Sequence, residues 1–159
     1  MINNTQYCFI KSEYFRKHEG FINMLDSGNI SKQSRRTYLC VCVVIGNNNV
    51  YVPLRNNLGE PIRKFGKIGF SVPSQKRPNA GLDYRHSLII NDDSYIEYPK
   101  SIRLPNSQTS VINANYSVIS QEINIYVHKY IKVAKKHREH KEPLFRCSSL
   151  MNFHSELGI

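Results

Sequence analysis

Apolar positions change their spacing once along this chain. Up to about Tyr98 they come in short runs of strand type, and from Ile119 onward they recur at helical intervals. Thr5 to Ile10 is short, aromatic and apolar, and reads as a first strand. Ser12 follows as the expected N-cap of a helix, with Glu13 near the positive end of its dipole. Phe15, Ile22 and Leu25 give that helix its apolar positions, Ser27-Gly28-Asn29 ends it, and Ser31 to Arg36 reads as a basic loop. Thr37 to Ile45 is a continuous β-branched and apolar run and predicts the strongest strand. Gly46-Asn47-Asn48-Asn49 supplies a turn, and Val50-Tyr51-Val52 starts the return strand of a hairpin, ended by Pro53. Leu54 to Gly69 is expected to be an irregular connection and Ser74 to Gly81 a polar loop. Phe70 to Val72 is expected as a short strand. Leu82 to Ile90 is a longer one, paired with Tyr95 to Tyr98 across the Asn91-Asp92-Asp93 turn.

In the last third, Ile119, Ile123, Tyr126, Val127, Tyr130 and Ala134 predict a helix running to about His137. Lys129, Lys132 and Lys136 share another of its faces. Two readings of them stand, a solvated lysine face and a row of ammonium groups tracking a phosphate backbone. Pro143 breaks the pattern, and Ser148 or Ser149 is placed to cap a last short helix through Phe153. Strands followed by helix define an α+β class, and short strands with intervening glycines fit a small curled barrel. Without repeat or linker, residues 1–159 are expected to form one domain.

Charge adds a partner to this outline. The 159 residues carry 22 Lys+Arg against 12 Asp+Glu, a formal charge of +10. Residues 60–90 hold six bases and two acids, and residues 126–146 hold seven bases and two acids. Residues 91–125 between them hold four acids and two bases. Two basic blocks that folding brings together would suit a nucleic acid or an acidic membrane surface. The longest apolar run, Tyr38 to Ile45, has 8 residues against the roughly 20 of a spanning helix, and the polar start lacks a signal-peptide layout. A cytoplasmic protein without membrane contact is therefore expected. The four cysteines, Cys8, Cys40, Cys42 and Cys147, then read as reduced, small buried hydrophobes. Neither Cys40-x-Cys42 nor His137-x-x-His140 has the partners of a metal site.

No Walker loop, GxGxxG, GxSxG or HExxH occurs, so no cofactor is expected and chemistry must come from polar loop residues. Arg55-Asn56-Asn57 offers a guanidinium and two amides directly after a buried strand, equipment for gripping a phosphate, or simply a turn. Lys76-Arg77-Pro78-Asn79 and Asp83-Tyr84-Arg85-His86 are the other candidate loops. A metal-free RNase must move a proton from a ribose 2′-OH and stabilise a phosphorane, and His86 has the ordinary pKa for proton transfer. A lone histidine in a strand is, however, more often a core residue. In a regular strand Asp83 and His86 would face opposite sides, whereas Asp83 and Arg85 would share a face and form an internal salt bridge.

The run Val52-Pro53-Leu54-Arg55-Asn56-Asn57-Leu58-Gly59, then Lys64-Phe65-Gly66, then Ser71-Val72-Pro73-Ser74, then Lys76-Arg77-Pro78-Asn79-Ala80-Gly81-Leu82-Asp83-Tyr84-Arg85-His86, resembles type III toxin–antitoxin endoribonucleases of the CptN/TenpN group. Glu142-Pro143-Leu144-Phe145-Arg146 and Ser148-Ser149-Leu150 also resemble the group. These toxins are more distantly similar to ToxN and AbiQ. The resemblance implies a Kid/MazF-like fold, a twisted, barrel-like antiparallel sheet with flanking helices. It implies metal-independent RNA cleavage by 2′-OH attack, leaving a 2′,3′-cyclic phosphate. It also implies an RNA antitoxin, processed by the toxin from a repeated precursor into pseudoknots, and a higher-order toxin–RNA assembly.

Residue by residue, Tyr14 falls where ToxN-type toxins place an active-site tyrosine. The segment Arg55-Asn56-Asn57-Leu58 stands where they carry Thr-Ser-Pro-Lys, so Arg55 and Asn56 are the implied substitutes and Lys76 or Arg77 the implied cation. The implied catalytic set is Tyr14, Arg55, Asn56, Lys76 and His86. Arg35, Arg36, Asn57, Lys64, Lys67, Arg77, Asn79, Lys129, Lys132 and Lys136 are the expected RNA contacts. Cellular RNA is the expected substrate. The rival reading is a nonenzymatic RNA-binding module related to such toxins.

Overall fold

The computed structural model describes residues 5–25, 39–59 and 67–159. Arg35, Arg36 and Lys64 lie outside them. The strands are β1 (Tyr7–Ile10), β2 (Leu39–Ile45), β3 (Asn48–Arg55), β4 (Gly69–Ser71), β5 (Gly81–Asp83), β6 (Leu88–Ile89) and β7 (Ile96–Glu97). They form one antiparallel sheet in the order β4-β5-β3-β2-β1-β7, with β6 on β3. The α+β class is as expected. The expected barrel is replaced, among the described residues, by an open sheet with β4 and β7 at its ends.

The β2–β3 hairpin is the centre of the sheet because its apolar run supports a long ladder, from Cys40 opposite Pro53 to Ile45 opposite Asn48. Its turn is only Gly46-Asn47, with Gly46 at φ +59°, a conformation that costs glycine nothing. Asn48 and Asn49 belong to the strand instead. Pro53 does not end β3, which continues through Arg55. The segment after Asn91 also differs from expectation: β7 pairs with β1, Phe9 opposite Glu97, rather than with its neighbour in sequence.

Four α-helices flank the sheet among the described residues. Helix α1 is Ser12–Lys17, with Ser12 already inside it and Lys11 at the cap position without a side-chain cap bond. It stops well before Ile22 and Leu25. Ile22 instead forms a reciprocal pair with Asn152, whose Oδ1 accepts from Ile22 N at 2.9 Å and whose Nδ2 donates to Ile22 O at 2.7 Å. Helix α2 (Asn106–Ala114) follows Pro105 and carries too weak a pattern to be expected from the sequence. Helix α3 (Tyr116–Lys135) buries Ile119, Ile123, Tyr126, Val127, Tyr130 and Ala134, the predicted stripe. Tyr116 at its start donates its hydroxyl to Cys42 O at 2.8 Å, which lays the helix against β2. Ser148 caps a 3₁₀ turn (Ser149–Asn152) by accepting from Leu150 N, and α4 (His154–Leu157) is the last helix. No described helix is long and apolar enough to cross a membrane. Cys8, Cys40 and Cys42 are buried as expected, whereas Cys147 is exposed.

Candidate functional site

The sheet breaks where the sequence predicts one strand from Leu82 to Ile90. Leu54 faces Leu82, but Tyr51 faces Leu88, so the register along β3 shifts by three residues. Tyr84, Arg85 and His86 are the three looped out, as a 3₁₀ turn. Pro53, which has no N–H to give a ladder, lies opposite the break. The turn returns the side chains of residues 85 and 86 towards Asp83, undoing the alternation that would have separated Asp83 from His86.

Asp83 is wholly buried and collects donors from three sides. Its Oδ1 accepts from Arg85 N and Arg85 Nε, each at 3.0 Å, and its Oδ2 from Arg85 Nη2 and Arg55 Nη1, each at 2.9 Å. His86 Nε2 stands 3.9 Å from Oδ2. Burial alone would raise the carboxyl pKa, but hydrogen bonds and charge from Arg85, Arg55 and His86 hold it below the usual carboxylate range. The expected Asp83–Arg85 salt bridge is present, reached through a turn rather than along a strand. His86 donates Nδ1–H to Asn23 O at 2.8 Å, the direction a carbonyl partner requires, and burial lowers its pKa despite the nearby carboxylate. Arg55 keeps 32% of its side chain exposed, so a buried anchor fixes a partly open guanidinium.

A second feature adjoins the far end of β3. A groove of about 570 Å³ is lined by Phe9, Leu39, Leu54, Asn56, Ser74, Lys76, Arg77, Ile102, Arg103, Leu104, Pro105 and Gln108. Its floor crosses three strands: Phe9 faces Leu39, and Leu39 lies one step beyond the Cys40–Pro53 pair, beside Leu54. One wall is a tight turn in which Ser74 and Arg77 exchange backbone bonds at 3.0 and 3.1 Å, presenting Lys76 and Arg77. The other wall is residues 102–105 with Gln108 of α2. Gln108 is 5% exposed and donates Nε2–H to Val72 O at 2.8 Å, tying α2 to the flank of the sheet. None of these lining residues is acidic. Among the described residues, Lys76, Arg77 and Arg103 carry no ion pair.

The structure therefore brings Asn56, Lys76 and Arg77 together at the groove, with Arg55, the last residue of β3 and just before Asn56, turned to Asp83. Tyr14 and His86 do not line the groove. Tyr14 is buried in an aromatic group with His18, Phe21 and Tyr95, at ring separations of 4.3, 6.3 and 5.3 Å, and burial raises its pKa. Lys67 is held in an ion pair by Glu122 at 2.9 Å, and Tyr84 donates its hydroxyl to the same carboxylate. Asn57 Oδ1 accepts from Gly59 N at 2.9 Å in a local turn, and Asn79 is exposed. Lys129, Lys132 and Lys136 are exposed around α3. Arg103 and Gln108 are not foreseeable from the sequence, because they sit in the weakly patterned stretch before and within α2. Only their place in space makes them part of the site.

No family model and no curated protein matches the chain. Two solved structures share its fold. ToxN, from a bacterial antiviral system regulated by a processed non-coding RNA, superposes with a TM-score of 0.54 at 16% identity, over 82% of this chain and 88% of that one. AbiQ, a lactococcal anti-phage endoribonuclease of a type III toxin–antitoxin system, superposes with a TM-score of 0.50 at 14% identity, over 79% and 81%. At these identities the likeness is one of fold. ToxN and AbiQ are the proteins to which the group resembled by the 52–86 motif is more distantly similar.

Proposed function

We propose that the protein is a sequence-selective endoribonuclease toxin of a type III toxin–antitoxin system, held inactive by a structured antitoxin RNA. The observation that carries this reading is the groove: three cations, without acidic partners among the described residues, stand over an apolar floor at the end of the central strand. Cations in that arrangement hold phosphate, and an aromatic–aliphatic floor takes an unpaired base, the usual combination for single-stranded RNA. Lys76, Arg77 and Arg103 would stabilise the charge that develops on a phosphorane, and Asn56 would position the scissile phosphate. Arg55, oriented by Asp83, would add a fixed guanidinium at the groove's edge. The cut is metal-independent in this reading, by attack of the ribose 2′-OH. The antitoxin is a pseudoknot RNA that the protein releases from a repeated precursor and with which it assembles.

Tyr14 and His86, the candidates for proton transfer, stand outside the groove, so substitution decides whether either takes part. If Tyr14→Phe and His86→Gln fold and cut at the wild-type rate, both leave the mechanism. The reaction itself is tested with RNA-free protein and a long RNA in EDTA. Fragments ending in a 2′,3′-cyclic phosphate are expected, and intact RNA at micromolar protein would leave only a binding module.

A further inference from the structure

We propose that residues 99–104 form a strap that an RNA strand in the groove orders and draws closed. This inference rests on the groove being the RNA site. The two walls of the groove are held in unequal ways. In the Ser74–Arg77 turn, two backbone bonds and a third from Arg77 N to Ser74 Oγ at 3.1 Å fix the wall that presents Lys76 and Arg77. The other wall runs from the end of β7 at Glu97 to the start of α2 at Asn106. Among the described residues, Pro99 to Leu104 make no hydrogen bond and no ion pair.

The segment nevertheless alternates as a strand does. Ile102 and Leu104 are half-buried and line the groove, while Ser101 and Arg103 are exposed. Pro99 and Pro105 bound it, each fixing its own φ and pushing the residue before it, Tyr98 or Leu104, towards extended backbone. A strand-like segment without a partner strand is held by its apolar side chains alone, and it opens at little cost in free energy. A bound RNA strand changes that balance. Its phosphates offer acceptors to the N–H groups of Lys100 to Leu104, and backbone donors covered by a ligand require partners. Closure also carries Arg103, which has no counterion among the described residues, to a phosphate and slows the escape of the RNA.

The test is amide hydrogen exchange, read by mass spectrometry on the wild-type protein with and without a 2′-O-methyl RNA decamer of mixed sequence, which cannot be cut. The decamer is used at a concentration that saturates binding by fluorescence anisotropy. In the free protein, Lys100 to Leu104 should exchange within about tenfold of the rate of an unstructured peptide, since their opening costs almost nothing. With the decamer bound they should slow roughly three- to tenfold, the value of one net hydrogen bond. Strap amides as protected in the free protein as those of β2 overturn the proposal. So do strap amides that exchange equally fast with and without the decamer. If Lys76→Ala/Arg77→Ala binds the decamer as tightly as wild type, the groove is not the RNA site, and the broader reading fails together with the strap.

Discussion

The molecule uses the same side-chain types in two opposite ways on either side of β3's end. Around Asp83, Arg85 and one nitrogen of Arg55 converge on one buried carboxylate, with the His86 imidazole beside them. In the groove, Lys76, Arg77 and Arg103 have no acidic partner among the described residues. A cation whose field is cancelled by a buried neighbour shapes the fold, whereas one without a counterion attracts an outside anion. Sequence alone cannot sort the six residues, because the sorting depends on which of them a three-residue register shift turns inward.

The largest effect should come from removing the anchor. Asp83→Ala leaves two guanidiniums without their carboxylate, Arg85 nearly buried, and should cost about 3–5 kcal/mol in urea unfolding. A loss under ~1 kcal/mol would show that the cluster is an ordinary surface network. Gly81→Ala comes next, since an added Cβ would collide with the Leu58 side chain and with the backbone oxygen of Phe70. Forced movement of β4 against β5 should cost about 1–3 kcal/mol, read in the same melt. The groove variants Lys76→Ala, Arg77→Ala and Arg103→Ala should instead shift stability by no more than ~0.5 kcal/mol. Each should lower the salt dependence of RNA binding, by about 0.7 in log affinity per log salt for each phosphate no longer neutralised.

Acid should separate the two regions as well. His86 and Asp83 both have folded-state pKa values below their ordinary ones, so the unfolded chain takes up protons first as pH falls. Stability from His86 is whole above pH 6.5 and is lost as pH falls through its lower folded value. That from Asp83 follows below pH 3.8. Urea melts between about pH 7.5 and 4.5 should therefore show a declining stability that His86→Gln flattens. An unchanged slope in that variant would contradict the assignment. The smallest effect is expected for the Lys129, Lys132 and Lys136 alanine variants, which should leave stability unchanged and weaken RNA binding modestly and salt-dependently.

What is legible in the sequence is whatever periodicity or chain proximity encodes. The β2–β3 hairpin and α3 follow from long, consistent runs, and Asn56, Lys76 and Arg77 from their polar loops beside strands. Pro53 reads as a terminator, yet a proline is tolerated where the neighbouring strand breaks. The Tyr84–His86 turn is invisible because Leu82 to Ile90 is apolar enough to pass for one strand. Arg103 and Gln108 escape because nothing local marks them, and their place in the groove arises from α2 packing beside Val72.

In the proposed function the groove's cations act on RNA chemistry, while the α3 lysines at most hold the strand. Single-turnover cleavage in EDTA, with RNA saturating, compares Lys76→Ala/Arg77→Ala/Arg103→Ala with Lys129→Ala/Lys132→Ala/Lys136→Ala. The groove variant should lose about 100-fold or more, the scale of removing charge stabilisation from a transition state, and the helix variant should cut at a rate close to wild type. Equal rates for both variants, or a greater loss in the helix variant, would contradict it.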